Sequence, residues 1–443
     1  MGFVIQIILR CRHFVPGRLP CPCGLSMLWE MKSRSVFLLL ALCVTIFAVH
    51  PRACSASKAI MVYYMPWFTA KPFGSNWGWH WTMDRFNPDT TNVVGQRQIA
   101  SWYYPLIGPY DSSDPAVLEY HVLLMKLSGI DGVIVDWYGS ADILDYGSNN
   151  QATSKLFEFT RKAGLKFAVC YEDQTIKHMI EGNYISASNA IPQAQREMCY
   201  LQSRWFADAS YFRLNGHPVL LNFGPQYFML GSDWEAIFSV FASSNRPAFF
   251  NEDNRLPVSL GAFDWPPMWL THAPGTGGIL SDAELQSYLA GFDQKGANWP
   301  AYVSSAFPRF HDMYQSQDGS HFLGYLGDHH GDTFRETLAR SLTNSSSLVQ
   351  VVTWNDFGEG SMVEPTDEYG YRDLGIIQSL RRQYLQPNFP YQTNDLYIPL
   401  RFFHLRRQFA ANAAVSAELD QIFTNLVTGN VRVAEGELDQ LPR

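Results

Sequence analysis

From Lys58 onward the chain alternates between short runs of β-branched and aromatic residues and longer stretches whose apolar positions recur every three to four residues. The short runs are Ala59 to Tyr64, Gly132 to Asp136, Phe167 to Tyr171, Pro218 to Asn222, Pro247 to Phe250, Gly261 to Asp264, Ala301 to Ser305 and Leu348 to Thr353. Each is almost continuously apolar and ends in polar turn residues, the pattern of a strand covered on both faces. Eight such runs with helical patterns between most of them predict an α/β fold, a (β/α)8 barrel of the TIM type. The segment before the second run shows the helical signals together: Asp114 can cap, Pro115 takes the first helical position, Leu118, Val122 and Met125 share a face, and Gly129 ends it.

Three stretches depart from this alternation. Between Met65 and about Pro109 a long connection carries Trp67, Trp77, Trp79, His80, Trp81, Trp102 and Tyr103; a loop this long and aromatic is expected to wall one side of a site. After about Gln386, Pro387, Pro390 and Pro399 break the pattern, and Phe402 to Ala413 and Ser416 to Val427 then predict two amphipathic helices. At the other end, Met31-Lys32-Ser33-Arg34, the apolar Val36 to Val49 and the small residues Ala53 to Ala56 form the three parts of a secretory signal. Met31 is therefore the expected start and cleavage is expected near Ala56, with the mature protein secreted or held in the periplasm or cell envelope. The apolar segment, interrupted by Thr45, is short beside the ~20 residues of a membrane span. The expected layout is thus an extension and signal over 1–56, a barrel over 57–386 and a helical tail over 387–443.

Composition narrows the classes. The net charge of -8 argues against a nucleic-acid partner, and no Gly-rich phosphate loop or paired Cys-x-x-Cys motif is present, so no cofactor or metal is expected. Five of the seven cysteines precede residue 57; only Cys170 and Cys199 remain to form a bridge or lie buried. His121 falls among apolar helix positions and reads as a hydrogen-bonded packing residue. In Asp328-His329-His330-Gly331-Asp332, Asp332 reads as a helix cap and the histidines as solvated. Aromatic residues make up 15% of the chain and many sit beside Gly, Asn and Asp, which suits a carbohydrate surface.

The carboxyl ends of barrel strands are where chemistry is done. Taken in turn they carry Tyr64 and Trp67, Asp136-Trp137-Tyr138, Glu172-Asp173, Asn222, Glu252-Asp253, Asp264-Trp265, Phe307 with Asp312, and Trp354-Asn355-Asp356 with Glu359 and Glu364. The last set is the richest. Two carboxylates three residues apart, beside Trp354, Phe357 and Tyr369, are what glycoside cleavage needs: an acid and a base against an aromatic wall. Glu359, between Gly358 and Gly360 where backbone can approach a substrate, is the expected general acid, and Asp356 the base. The substrate-binding set expected around them is Tyr64, Trp67, Trp79, His80, Trp137, Tyr138, Glu172, Asn222, Asp264, Trp265, Asp312, Trp354, Asn355 and Glu364.

Several of these stretches resemble the family-99 glycoside hydrolases, the endo-α-mannosidases, and the related family-71 α-1,3-glucanases. They are Tyr104 to Pro115 with His121 and Met125, Asp131 to Tyr138, Tyr171-Glu172, Pro308 to Asp312, and Asn355 to Glu364, in the family's order over about residues 60 to 370. The resemblance implies a barrel, with Glu359 at the position of the general acid/base and Asp356 at that of the residue which deprotonates the sugar 2-hydroxyl. In family 99 the reaction retains configuration through a 1,2-anhydro sugar. Two departures stand out: Asp356 replaces a Glu, and Phe357-Gly358 replaces Trp-His. One methylene fewer moves a carboxylate by about 1.5 Å, and the Trp-Asn-Asp-aromatic-Gly-Glu form is closer to family 71, which inverts.

The sequence thus leads to a secreted, endo-acting hydrolase of an α-linked mannan or glucan whose partner is an oligo- or polysaccharide. The alternatives are a family-71-like inverting α-1,3-glucanase, or a barrel that binds polysaccharide or serves glycan assembly without hydrolysis.

Overall fold

The computed structural model describes residues 58–314 and 322–441; the secretory signal read from Met31 to Ala56 lies outside them. Eight parallel strands are present: β1 (Ile60–Tyr64), β2 (Gly132–Trp137), β3 (Lys166–Tyr171), β4 (His217–Asn222), β5 (Ala248–Glu252), β6 (Gly261–Phe263), β7 (Val303–Ala306) and β8 (Leu348–Val351). Each pairs with the next, and β8 closes the ring on β1, with Ile60 opposite Val349. The fold is a (β/α)8 barrel, and the eight strands match the eight apolar runs.

Register decides which side chains reach the interior. Tyr63 lies opposite Ile134, Asp136 opposite Cys170, and Cys170 opposite Leu221. The side-chain period of a strand is two, so these share the inner face. Their neighbours Tyr64, Trp137, Tyr171 and Asn222 share the opposite, helix-facing side, where Trp137 stacks on Tyr200 and meets Trp205 edge-on.

Around the barrel run α1 (Pro115–Ser128), α2 (Tyr146–Lys162), α3 (Ala190–Leu201), α4 (Gly231–Ile237), α5 (Asp282–Gly296), α6 (Asp332–Thr343) and α7 (Arg372–Tyr384). As expected for α1, the Asp114 carboxylate accepts the Ala116 N–H at 2.9 Å, Pro115 needs no donor partner, and Gly129 ends the helix at φ 91°. The cap expected at Asp332 is not made: Gly331 holds the N-cap position, and Asp332 faces Arg335 from the first turn.

The tail folds as three helices, α8 (Ile398–Gln408), α9 (Ala413–Val427) and α10 (Val431–Gln440), within the same compact unit as the barrel, Ser57–Arg443. Pro399 does not break the chain. It sits in the first turn of α8, where the missing N–H costs nothing, so the helix starts before the expected Phe402. Helix α8 docks on α1 through the two-pronged pair of Arg406 with Glu119, at 2.9 and 2.8 Å. Because α8 covers its outer side, α1 is buried nearly all round. Cys170 lies inside the barrel wall and Cys199 is exposed on α3, so the two are free thiols and not a bridge. Among the described residues no helix is long and apolar enough to cross a membrane.

Candidate functional site

At the carboxyl ends of the strands a cavity of about 430 Å³ opens among Tyr63, Met65, Trp67, Asp136, Tyr138, Glu172, Gln174, Phe223, Gln226, Trp265, Tyr314, Leu323, Asp356 and Glu359. Its walls are rings. Trp265 stands edge-on to Tyr63 with centroids 4.9 Å apart, and Tyr138 stacks on Tyr146. Trp67 lies flat on His80 at 3.9 Å, and burial lowers the His80 imidazole to a pKa of about 3, so it backs Trp67 as a neutral plate.

The loop after β8 carries the acid pair and is held by its own backbone. Thr353 Oγ1 accepts the Asp356 N–H at 2.8 Å, and Asp356 Oδ1 accepts the Glu359 N–H at 2.8 Å. The carbonyls of Gly358 and Glu359 accept the N–H groups of Met313 and His311. The flanking glycines serve this packing. A Cβ at Gly358 would meet the Tyr314 ring at 2.6 Å, and Gly360, at φ 62°, would place one 2.9 Å from the His311 carbonyl.

Burial, opposed by the N–H bonds from Glu359 and Gly358, raises the Asp356 carboxyl to a pKa of about 7. Burial and then the Asp356 charge push Glu359 well above the ordinary carboxyl range. Two carboxyls are thereby separated in proton affinity, and the one that holds its proton is Glu359.

A second carboxyl pair shares the cavity. The Tyr63 hydroxyl donates to Asp136 at 2.8 Å, the Tyr138 hydroxyl also donates to it, and the Glu172 carboxyl is hydrogen-bonded to it. Burial raises Asp136 to about 6. Burial, and next the Asp136 charge, push Glu172 well above its usual range while Gln174 Nε2 donates to it at 2.7 Å.

Of the residues expected at the site, the structure brings Trp67, Tyr138, Glu172, Trp265, Asp356 and Glu359 together in the wall. Trp79 lies at the rim, exposed, stacked on Tyr314 and donating to Asp84; His80 stands behind Trp67. Tyr64, Trp137 and Asn222 point away from the cavity because they have the wrong strand parity. Tyr64 hydrogen-bonds His121 Nδ1 at 2.9 Å, Trp137 donates to Asn150, and Asn222 donates to Asp173. Asp264 is ion-paired to Arg340 at 2.9 Å, and Asp312 accepts the N–H groups of Tyr314 and Leu323.

Trp354, Asn355 and Glu364 form a scaffold beneath the loop. The Asn355 amide bonds both the N–H and the carbonyl of Met65 and donates to the Tyr110 hydroxyl. Glu364 accepts from Tyr110 at 2.7 Å and faces His121 Nε2 at 3.2 Å, and Trp354 packs edge-on to His121. His121 is thus the packing histidine the sequence suggested. Asp136, named at the end of the second strand but not placed in the binding set, is in the wall as well, and the wall residues not anticipated are Tyr63, Met65, Gln174, Phe223, Gln226, Tyr314 and Leu323. Strand alternation could have found Tyr63 and Asp136; the others come from loops whose paths no local pattern fixes.

No protein-family model matches the chain. A 46-residue stretch is 46% identical to a glycoprotein endo-alpha-1,2-mannosidase-like protein of Danio rerio, covering 10% of this chain and 10% of that protein. Two structures of a family-99 endo-alpha-mannosidase from Bacteroides thetaiotaomicron, one with bis-tris propane, superpose with a TM-score of 0.53 at 16% and 18% identity. They cover 75% and 74% of this chain and 97% of their own. A glycoside hydrolase-like protein matches with a TM-score of 0.51 at 12% identity, over 74% of this chain and 94% of its own. At these identities the likeness to the solved structures is one of fold.

Proposed function

We propose that the protein is a glycoside hydrolase, endo-acting on an α-linked mannan or glucan, exported by the signal that begins at Met31. The observation that carries this reading is the convergence of Asp356 and Glu359 in one aromatic-walled cavity with their proton affinities set apart. Glu359 keeps its proton at neutral pH and protonates the departing glycosidic oxygen. Asp356 is ionised above about pH 7 and takes a proton on the other side of the reaction. The stacked rings of the wall receive the pyranose faces.

Which proton Asp356 removes sets the stereochemistry. Its side chain has Oδ1 committed to the Glu359 N–H, and one methylene fewer than the family-99 Glu would set the carboxylate back by about 1.5 Å, the direction in which a water could stand between it and the sugar. This supports inversion as the second reading, and the anomer released first, followed by proton NMR, separates it from retention.

The test of the assignment is Glu359→Gln assayed on a panel of α-mannans and α-glucans. Turnover is expected to fall at least about 10³-fold, with folding and glycan binding unchanged. Full activity in this variant would remove the assignment. Binding by the wild type with no product from any polymer would favour the non-hydrolytic barrel.

A further inference from the structure

Four carboxyl groups, Asp136, Glu172, Asp356 and Glu359, line the cavity, and none of the described residues in its wall is a lysine, arginine or histidine. The cleavage proposed above uses Asp356 and Glu359; it gives Asp136 and Glu172 no part. Asp136 accepts hydrogen bonds from Tyr63, Tyr138 and Glu172. None of the three carries a positive charge, so they fix the carboxyl without cancelling its charge. A buried charge without a counter-charge is costly, and here the protein supplies none. Independently, two atoms of the same wall, Trp67 Nε1 and Glu359 Oε2, are shut off from solvent and have no protein partner, which marks the space before them as made for a polar occupant.

We propose that Asp136 and Glu172 form the recognition site for a protonated amine, so that the glycan this cavity takes contains an unacetylated hexosamine. The glycan part rests on the reading above; the amine part rests on this second carboxyl pair. An ammonium group has three donors and one charge, which matches two carboxyls already fixed by Tyr63, Tyr138 and Gln174, while the rings of Trp67 and Trp265 cover the sugar. Uronic, sulfated and phosphorylated sugars are repelled by the same wall.

The groups facing the pair are Tyr63 from β1, Tyr138 after β2, Tyr146 at the start of α2, Cys170 in β3, Asp173 after it, Glu252 at the end of β5, Tyr314, and Asp356 beyond β8. All are acids, so among the described residues facing the pair no cation competes with the amine. Because burial holds Asp136 and Glu172 above the usual carboxyl range, an incoming cation drives a proton off the pair. Affinity for the amine therefore rises with pH until the amine itself loses its proton.

The experiment is calorimetric titration of the full chain carrying Glu359→Gln with α-linked glucosamine and galactosamine oligomers and with their N-acetylated counterparts. It is run at about pH 5.5 and about pH 7.5 in buffers of different ionisation enthalpy. The amine oligomer is expected to bind on the order of tenfold more tightly at the higher pH, with proton release. Adding Asp136→Asn is expected to bring the ratio of the affinities for the amine and acetylated oligomers close to one at both pH values. Should Asp136→Asn fail to fold, Glu172→Gln carries the same comparison. Equal affinity for the two oligomers, or a preference that survives both substitutions, overturns the inference. Product from neutral α-glycans without amine preference defeats this inference and leaves the hydrolase reading standing; amine preference without product from the wild type does the reverse.

Discussion

Asp356 does two things with one carboxyl: Oδ1 holds the loop by accepting the Glu359 N–H, and the group lines the cavity. Substitutions separate the two. Asp356→Asn keeps an acceptor for the N–H and loses the base, so kcat is expected to fall by about 10²–10⁴, with the melting temperature nearly unchanged near pH 4, where the wild-type carboxyl is protonated in both states. Asp356→Ala loses both and costs about 1 kcal/mol more in urea unfolding. In the wild type, kcat/KM is expected to rise as pH passes about 7, when Asp356 ionises, and to decline only where Glu359 gives up its proton. A pH profile flat from 5 to 8 would exclude Asp356 as the base. The pair itself was legible in the sequence, because acids, glycines and aromatics crowd one short loop. What that crowding does not reveal is that the glycines answer to Tyr314 and His311, which come from a distant part of the chain.

At the scale of elements, every strand of the barrel could be read from its apolar run, yet which residues of a run enter the barrel could not be read from polarity alone. Tyr63 and Tyr64 are chemically the same, and only the phase of the strand sends one to Asp136 and the other to His121. Asp136 and Trp137 divide in the same way. The tail was harder. Three short helices with modest patterns acquire their order from docking, and α1 shows why, since its outer face is covered by α8 through Glu119 and Arg406. Arg406→Ala leaves the largely buried Glu119 unpaired, and a loss of about 2 kcal/mol is expected at neutral pH. Burial already raises Glu119 against the pull of Arg406. Without Arg406 it takes up a proton more readily, so the loss should shrink near pH 5. Urea melts at the two pH values check this, and a loss equal at both would mean that the pair adds nothing beyond packing.

For the whole molecule, the acids of the barrel mouth make stability and function pull in opposite directions. Burial raises Asp136 to about 6, Asp356 to about 7 and Glu252 to about 8, and pushes Glu172 and Glu359 up as well. Each of these carboxyls binds its proton more tightly folded than unfolded. Below the unfolded values, near pH 4, both states are protonated and the stabilisation is fully present. As pH climbs, the unfolded chain releases its protons first, and the advantage of the folded state drains away until the folded groups ionise between about 6 and 8. The cost is about 1.4 kcal/mol for each tenfold difference in proton affinity. The melting temperature should therefore fall from pH 5 to pH 8.5, and Asp136→Asn with Asp356→Asn should flatten the slope by removing two of the groups responsible. A melting temperature that rises across this window, or a slope unchanged in the double variant, would show that the mouth carboxyls are not held protonated by the fold. The separation of Asp356 from Glu359 that makes one a base and the other an acid would then lose its physical basis.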